Sequence, residues 1–361
     1  MESNRHQIKV TPPPSTPNCV RKRDSNLELF RIVVMLLIVA HHYVVNSEVS
    51  VLMNSDGLNW HSAFFFIFGA WGKTGINCFV LITGYFMCTS KITWQKFLKL
   101  YLEIKFYYFL ILGIFIYFGL SSFRFKVLIS ILPFTKIGDS FTNAFMAFYL
   151  FIPFLNILVG NMTRKKHLCL VLLLLWVYTI LGMAGMVTYN YLSWFVTLFF
   201  IASYIRLYGL PYQDNARFWG WTTLFMFLLS IVSIFAVTLI GKSPSYYFVS
   251  DSNHLFALLL SISSFMMFKN IKVRYNKWIN MIAATTFGVF LIHTRGDVMR
   301  HWLWYDFIDC GSHYNDEYYW AYAIGCVVAI FVVCSMIDML RINLLEKRLF
   351  KVIDRYSKNN N

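Results

Sequence analysis

Two polar residues on one apolar segment carry the clearest chemistry in this sequence. The run RIVVMLLIVAHH begins with Arg31 and ends with His41 and His42. In a helix that turns about 100° per residue, Arg31 and His42 return to nearly the same azimuth after three turns, whereas His41 points about 80° away. Arg31 and His42 therefore share one face with Met35 and Ile38. An imidazole is a base or nucleophile near neutral pH, and a guanidinium binds phosphate or carboxylate.

Placing these two polar side chains in apolar surroundings costs free energy. If the segment spans a membrane, a guanidinium and an imidazole on it must face protein or water, so ionisable residues in a span are candidate functional residues. A plainer interpretation is also open. Arg31 then marks the basic end of a span, and His42 is an interior residue whose hydrogen bonds are satisfied.

The composition of the whole chain is that of an integral membrane protein. Of 361 residues, 58% are hydrophobic and 14% are charged, whereas about 25% are charged in an ordinary soluble domain. The net charge of +15 would also suit nucleic acid, but basic residues between apolar spans more often record topology, so no nucleic-acid partner is expected. The seven cysteines include no CxxC pair, so neither a disulfide framework nor a metal site is predicted.

Apolar windows along the chain predict an all-α integral membrane protein, a single bundle of about ten transmembrane helices. Each window has roughly 17 to 25 residues, the length that crosses a bilayer. The windows are residues 27–47, 63–88, 100–120, 142–159, 167–187, 191–208, 217–240, 253–268, 278–294 and 318–340. We expect a disordered cytoplasmic tail at residues 1–25, the membrane domain at residues 26–345 and a basic cytoplasmic tail at residues 346–361.

The basic residues predict which side of the membrane each loop faces. With the N-terminus inside, the inner segments hold 24 Lys and Arg residues and the outer loops hold six. Cytoplasmic loops of membrane proteins carry such an excess. An even number of spans then places both termini in the cytoplasm.

The second span has an irregular pattern of glycines and polar residues. Gly69, Gly72 and Gly75 recur at every third position, which predicts a helix break or a close helix contact. Lys73 and Asn77 lie about one turn apart there, and polar groups in a span usually line a cavity. Alternatively, Lys73 begins a shorter span and extends its ammonium group to the interface.

A further histidine lies in the ninth span, in the run TFGVFLIHTRGD. His293 and His42 each lie about 15 residues beyond the inner end of their span, so both imidazoles are predicted roughly 22 Å above the cytoplasmic interface. Two histidines at one level could share a cavity. The alternative is that His293 lies at the wet outer edge of the membrane.

Other catalytic motifs are weak or missing. His301 and Asp306 have the H-x4-D spacing in which an aspartate orients a histidine base for transfer from a thioester. They fall in an outer loop, away from cytosolic thioesters, and the spacing is common by chance. The sequence contains no Walker loop, G-x-G-x-x-G, H-E-x-x-H or G-x-S-x-G motif, so nucleotide hydrolysis and serine hydrolase chemistry lack their usual support.

Four segments occur in an order that is characteristic of a known family. They read NLELFRIVVMLLIVAHHYV, KTGINCFVLITGYFM, AFYLFIPFLN and TFGVFLIHTRGDVMR. Together they resemble acyltransferase family 3, whose Arg-x10-His signature falls on Arg31 and His42, and the resemblance runs from about residue 26 to 350. The chain departs from the family at Thr83, where Ser is frequent, and at Phe290, where Tyr is common.

The resemblance implies a ten-span enzyme of the bacterial inner (plasma) membrane that acylates sugars of surface polysaccharides or other exported molecules. It implies acyl-CoA, usually acetyl-CoA, as donor and a glycan hydroxyl as acceptor, with His42 as base or acyl carrier. The residues that we expect in the site fall into three groups. They are Arg31, His42 and His293 for catalysis, Lys73, Asn77, Gly84, Tyr85 and Arg295 for substrate binding, and Arg31, Lys269, Lys272 and Arg274 for binding CoA.

Two other classes of function remain to be compared with the enzyme. A transporter or flippase of glycan precursors would move its substrate without forming an acyl product. A structural membrane scaffold explains neither Arg31 nor His42 on one helix face.

Overall fold

The computed structural model describes residues 25–122, 129, 131–132 and 140–359. Within these ranges all regular secondary structure is helical. The helices, numbered in chain order, are α1 Ser25–Val45, α2 Val49–Ser55, α3 Trp60–Gly69, α4 Gly72–Met87, α5 Trp94–Tyr117, α6 Phe141–Gly160, α7 Arg164–Leu175, α8 Tyr191–Tyr208, α9 Ala216–Phe235, α10 Leu255–Asn270, α11 Lys277–Ala283, α12 Thr286–His293, α13 Gly296–His301, α14 Tyr319–Arg341 and α15 Lys347–Asn359. The tail predicted at residues 1–25 lies outside the described residues except for Ser25.

Short segments of other helix types extend four of these helices. A 3-10 turn, Ala236–Ile240, follows α9, and π-helical turns follow α7, α13 and α14. The π-helical turns are Trp176–Leu181, Trp302–Phe307 and Ile342–Glu346. The third of these joins α14 to α15, so the predicted basic tail at residues 346–361 is helical as far as Asn359.

Seven helical segments in the described ranges are long and apolar enough to cross a membrane. They are Ser25–Val45, Trp60–Met87, Trp94–Tyr117, Phe141–Gly160, Tyr191–Tyr208, Ala216–Ile240 and Tyr319–Ile353. The predicted fifth, eighth and ninth windows are also helical, but α7, α10, α11 and α12 are each shorter than such a span. The protein is thus an all-helical membrane protein, while the number ten and the cytoplasmic side of both termini stay predictions.

Helix α1 is central to the bundle. It contacts α4, α10, α11, α12 and α14, as well as the short helices α2 and α3. A helix that is apolar around most of its circumference is stable only when other helices or lipid surround it. Because α12 packs against α1, α5 and α14, its last residue, His293, is brought next to the C-terminal half of α1.

The glycines of the second span allow α1 and the α3–α4 segment to approach closely. Helix α3 ends at Gly69 and α4 begins at Gly72, so the predicted helix break occurs between them. A Cβ at Gly69 would lie 2.9 Å from the Cβ of Val44, one at Gly75 would lie 2.8 Å from Cγ1 of Ile38, and one at Gly72 would overlap the ring of His41. The break and the close contact are therefore both present.

Candidate active site

The imidazoles of His42 and His293 meet inside the bundle. The His42 Nδ1 atom lies 2.9 Å from Nε2 of His293, and the ring centroids are 5.1 Å apart. Their contact agrees with the equal depth predicted for them from the sequence. His293 is fully buried, so the alternative that it lies at a wet outer edge is wrong. His42 is partly accessible.

The hydrogen bonds of His293 determine which nitrogen of His42 is available for chemistry. His293 Nδ1 lies 2.6 Å from the carbonyl oxygen of Val289. A carbonyl only accepts, so this nitrogen carries the proton, and in the neutral ring Nε2 of His293 must accept. The proton between the two rings then belongs to Nδ1 of His42. Among the described residues, Nε2 of His42 then has no partner and keeps its lone pair, as a base or a nucleophile requires.

His41 has a different environment from its neighbour. Its Nδ1 lies 2.5 Å from the carbonyl oxygen of Gly69 at the end of α3, and its ring fills the space left by Gly72. His41 therefore joins α1 to the break in the second span, as a structural contact. The contrast between His41 and His42 follows the 100° that separates consecutive residues on a helix.

A narrow apolar cavity adjoins the histidine pair. It is partly open, and the empty space in it, counted together with space open to solvent, is about 230 Å³. Its lining residues come from α1, α4, α6 and α12 and are all apolar. They are Met35, Ile38, Ile76, Phe79, Phe141, Phe287 and Phe290. The ring of Phe290 also lies 6.4 Å from that of His42 and 6.1 Å from that of His293. Since Met35 and Ile38 lie on the face of α1 between Arg31 and His42, the cavity extends from the histidines towards the Arg31 end of the helix.

The Arg31 end of α1 lies beside the basic connection between α10 and α11. Arg31 Nη1 is 3.5 Å from Oε2 of Glu28, and the arginine side chain is 26% exposed. Asn26 donates to the carbonyl oxygen of Lys269 at 2.9 Å, and the Ser25 hydroxyl accepts from the backbone N–H of Asn276 at 2.9 Å. These bonds attach the start of α1 to residues 269–276, the connection that includes Lys272 and Arg274.

The two polar residues predicted on α4 have different environments. Asn77 is fully buried and satisfied, because its amide donates to the Ser252 carbonyl at 2.6 Å and accepts from Nε1 of Trp194 at 2.8 Å. Lys73 is partly exposed, and its Nζ lies 3.8 Å from Oδ1 of Asp251. Asn77 thus anchors a loop, whereas Lys73 faces an accessible surface.

The other residues predicted to bind substrate lie away from the histidine pair. Gly84 packs against Ala202 and is twelve residues beyond Gly72, which is about 18 Å along the helix axis. The neighbouring Tyr85 accepts a hydrogen bond from Arg206 at 2.9 Å.

Two further sequence candidates lie near the predicted outer side. Arg295 stacks on the ring of Tyr108, with its guanidinium carbon 3.5 Å from the centroid. His301 and Asp306 do meet, with Nδ1 and Oδ2 3.4 Å apart, but their side chains are 65% and 55% exposed. Solvent reaches this exposed pair, whereas the His42 site is largely shielded from solvent.

The sequence interpretation missed two sets of residues that the fold brings together. Asp251 and Tyr191 contact Lys73, and Tyr189 donates to Asp251, although these residues lie far apart in sequence from Lys73. A buried network around Arg341 includes Glu103 of α5. The signal for the second set was available, since Glu103 is an acidic residue within a predicted span. No local pattern singles out the first set.

Comparison with known proteins identifies a family for nearly the whole chain. A family model described as an acyltransferase domain, acyltransferase 3, matches residues 24–339. No curated protein and no solved structure matches the chain. The matched range includes Arg31, the cavity and both histidines of the pair.

Proposed function

The chain belongs to acyltransferase family 3 and is a membrane acyltransferase; on this premise we propose that it moves an acyl group, acetyl in the simplest case, from cytosolic acyl-CoA to a hydroxyl outside the membrane. The acceptor is a glycan or another exported molecule, and the membrane is the bacterial inner (plasma) membrane. The observation that carries the proposal is the His42–His293 pair, in which Nε2 of His42 has no hydrogen-bond partner among the described residues and the ring of Phe290 connects the pair to the apolar cavity.

Transfer from a thioester to an alcohol requires a group that can take and return one proton. In the direct path, Nε2 of His42 takes the proton of the attacking hydroxyl, the oxygen bonds to the acyl carbon, and the C–S bond breaks. The thiolate of CoA then receives the proton from His42. In the two-step path, Nε2 itself attacks the acyl carbon, the C–S bond breaks and the thiolate of CoA leaves. The hydroxyl oxygen then attacks the acyl carbon, the bond to Nε2 breaks, and the hydroxyl proton passes to the thiolate. His293 accepts a hydrogen bond from Nδ1–H of His42 in both paths and so supports the positive charge that develops on His42.

The donor side of the proposed reaction uses the basic end of α1. Arg31, with Lys269, Lys272 and Arg274 on the adjacent connection, would hold the phosphates of CoA at the predicted cytoplasmic side. Arg31 and His42 are eleven residues apart, or about 16 Å along the helix axis. The apolar cavity lies on that face. The flexible arm of CoA would therefore extend through apolar surroundings while the charged part of the molecule stays outside.

The test uses sealed inside-out vesicles that contain the protein and receive labelled acetyl-CoA only at the cytoplasmic face. We expect label on a glycan in the lumen, and mass spectrometry of surface glycans from cells with and without the protein identifies the acceptor. Label on an acceptor at the cytoplasmic face would contradict the transfer across the bilayer. Movement of glycan precursors without an acyl product would instead identify a transporter or flippase.

A further inference from the structure

A polar cluster near the predicted outer side of the membrane takes no part in the steps above. We call Lys73, Tyr189, Tyr191 and Asp251 the outer cluster. Lys73 Nζ lies 3.8 Å from Oδ1 of Asp251 and 3.4 Å from the hydroxyl of Tyr191. Tyr189 donates its hydroxyl to the same Oδ1 at 3.3 Å. The side chains of Lys73 and Asp251 are 24% and 45% exposed, so a molecule from solution can reach them.

A series of ring contacts connects the outer cluster to the catalytic histidine. The ring of Tyr191 lies 6.0 Å from that of Phe141, which lies 4.8 Å from Phe290. Phe290 in turn lies 6.4 Å from His42. On the other side, the residue before Lys73 is Gly72, which packs against the ring of His41. The outer cluster is therefore a neighbour of the site on the side opposite to Arg31.

Buried hydrogen bonds hold the loop that carries Asp251. Asn77 donates to the carbonyl of Ser252 at 2.6 Å, and Asn253 donates to the carbonyl of Tyr178 at 2.6 Å. Both anchors lie directly after Asp251 in sequence, so its carboxylate has a defined position opposite Lys73. A binding group that is held in place before the ligand arrives loses less entropy on binding.

The same loop contains polar atoms that still lack a partner. Oγ of Ser252 and Oδ1 of Asn253 are buried and make no hydrogen bond within the described part of the chain. The large majority of buried polar atoms in proteins are paired. Ser252 and Asn253 directly follow Asp251, so these unpaired atoms lie in the same loop as its carboxylate.

The functional groups of the outer cluster suit a particular class of ligand. Burial and the carboxylate of Asp251 raise the pKa of Tyr189, so its phenol stays protonated and donates. Lys73 also donates, whereas Asp251 accepts, and within the described residues both contacts of Asp251 go to Oδ1. The single positive and single negative charge cancel, which favours a neutral ligand over a phosphate or an amine. Neighbouring hydroxyls on a sugar ring offer donors and acceptors in this combination.

We propose that the outer cluster is the acceptor subsite, which binds a neutral sugar ring through neighbouring hydroxyls and directs one of them towards Nε2 of His42. This inference rests on the proposed function and adds the residues that recognise the acceptor. Asp251 binds two hydroxyls through its carboxylate, Lys73 donates to a ring or hydroxyl oxygen, and Tyr191 supplies a ring face.

The experiment separates acceptor binding from donor binding in the full-length protein. Cells that lack the native gene receive wild type, Asp251→Asn, Tyr189→Phe or Glu317→Gln, and acylation of their surface glycans is measured by mass spectrometry. Binding of labelled acetyl-CoA to each protein is measured in nanodiscs. We expect at least a tenfold loss of glycan acylation for Asp251→Asn, about a threefold loss for Tyr189→Phe and unchanged binding of acetyl-CoA. Glu317→Gln, on the exposed outer surface, should keep both properties.

Two results would overturn the assignment of the subsite. One is full glycan acylation by both outer-cluster variants at normal protein levels. The other is a parallel loss of acetyl-CoA binding, which would show that the cluster stabilises the whole site and does not act on the acceptor alone. A wild-type protein that binds no acetyl-CoA and forms no acylated glycan would contradict the proposed function itself, which is a separate outcome.

Discussion

Two buried polar clusters contact the same short helix, α12, and they use their polar atoms differently. At the end of α12, His293 contacts His42 beside the apolar cavity. About a turn and a half earlier, Gly288 packs against the carboxylate of Asp338 on α14. That carboxylate accepts from Nε of Arg341 at 2.6 Å and from the hydroxyl of Tyr107 at 2.7 Å.

The second cluster, which we call the arginine network, is centred on the guanidinium of Arg341. Besides Asp338, Arg341 contacts Glu103 at 2.9 Å and Glu346 at 2.8 Å. Lys99 pairs with Glu346 at 2.6 Å. All three nitrogens of the guanidinium are thus used. Within the described residues, Oδ2 of Asp338 is the one oxygen of that carboxylate left without a partner.

The difference shows how buried polar groups divide between stability and reaction. Charges taken out of water are tolerated only when they are paired, and the arginine network pairs nearly all of its groups with protein. Within the described residues, the histidine pair uses three of its four ring nitrogens, and Nε2 of His42 has no partner. We infer that the network fixes the position of α12 while the pair performs the transfer.

The largest effect is expected at His42. His42→Ala should reduce acyl transfer by about 10³-fold or more, because a positioned base typically contributes 10²- to 10⁴-fold. His41→Ala, the matched control, should keep much of the activity, since His41 contacts the carbonyl of Gly69. Transfer is measured as labelled acyl product at equal protein levels. Equal losses at the two positions would contradict the assignment of His42.

The sequence predicted the helical character of this protein and the common level of its two histidines along their helices. The apolar windows contain helices, and the equal distance of His42 and His293 from the inner ends of their spans corresponds to a contact of 2.9 Å. Counting along a helix gives depth and azimuth because the rise and the turn per residue are constant. The glycines of the second span likewise predicted its break and its close contact with α1.

Contacts between distant segments could not be predicted in the same way. Asp251 meets Lys73 because the loop before α10 folds back onto α4, and one sequence contains no periodic signal for such a contact. Tyr85 is predicted to bind substrate together with Lys73, but about 18 Å of helix α4 separates the two residues. Arg341 and Glu103 were not recognised as partners, because their pairing depends on which helices are neighbours.

Substitutions in the arginine network should mainly lower the stability of the folded protein. Arg341→Met would leave three carboxylates near each other without their shared cation, and breaking a buried pair costs about 3–5 kcal/mol. We expect a clear fall in the thermal midpoint of the purified protein. The control, Arg300→Met, breaks an exposed contact with Asp297 and should change stability by less than about 1 kcal/mol. If Arg341→Met kept its thermal midpoint but lost acyl transfer, the network would instead be part of the catalytic site.

A smaller loss of activity is expected at His293, which orients His42. His293→Ala removes the acceptor for the Nδ1 proton of His42 and should lower transfer on the order of 10²-fold. His293→Gln keeps a carbonyl oxygen that can accept this proton, so it should recover part of the loss. Acetyl-CoA binding should stay unchanged in both variants. Equal activity of the Ala and Gln variants would argue that His293 carries the proton itself and does more than orient His42.

The smallest effect sharpens the contrast between the cavity and the rest of the core. Ile76 lines the cavity, whereas Ile82 lies on the same helix, is fully buried and does not line it. Replacing either by Val removes one methylene, which costs about 0.5–1.5 kcal/mol of stability. If the acyl group lies in the cavity, Ile76→Val gives it room for one more carbon, and one methylene in a pocket changes selectivity by about tenfold or more. The ratio of kcat/KM for propionyl-CoA to that for acetyl-CoA should therefore rise in Ile76→Val and stay constant in Ile82→Val. A ratio that changes equally in both variants would show that looser packing, and not the cavity, sets the length of the acyl chain.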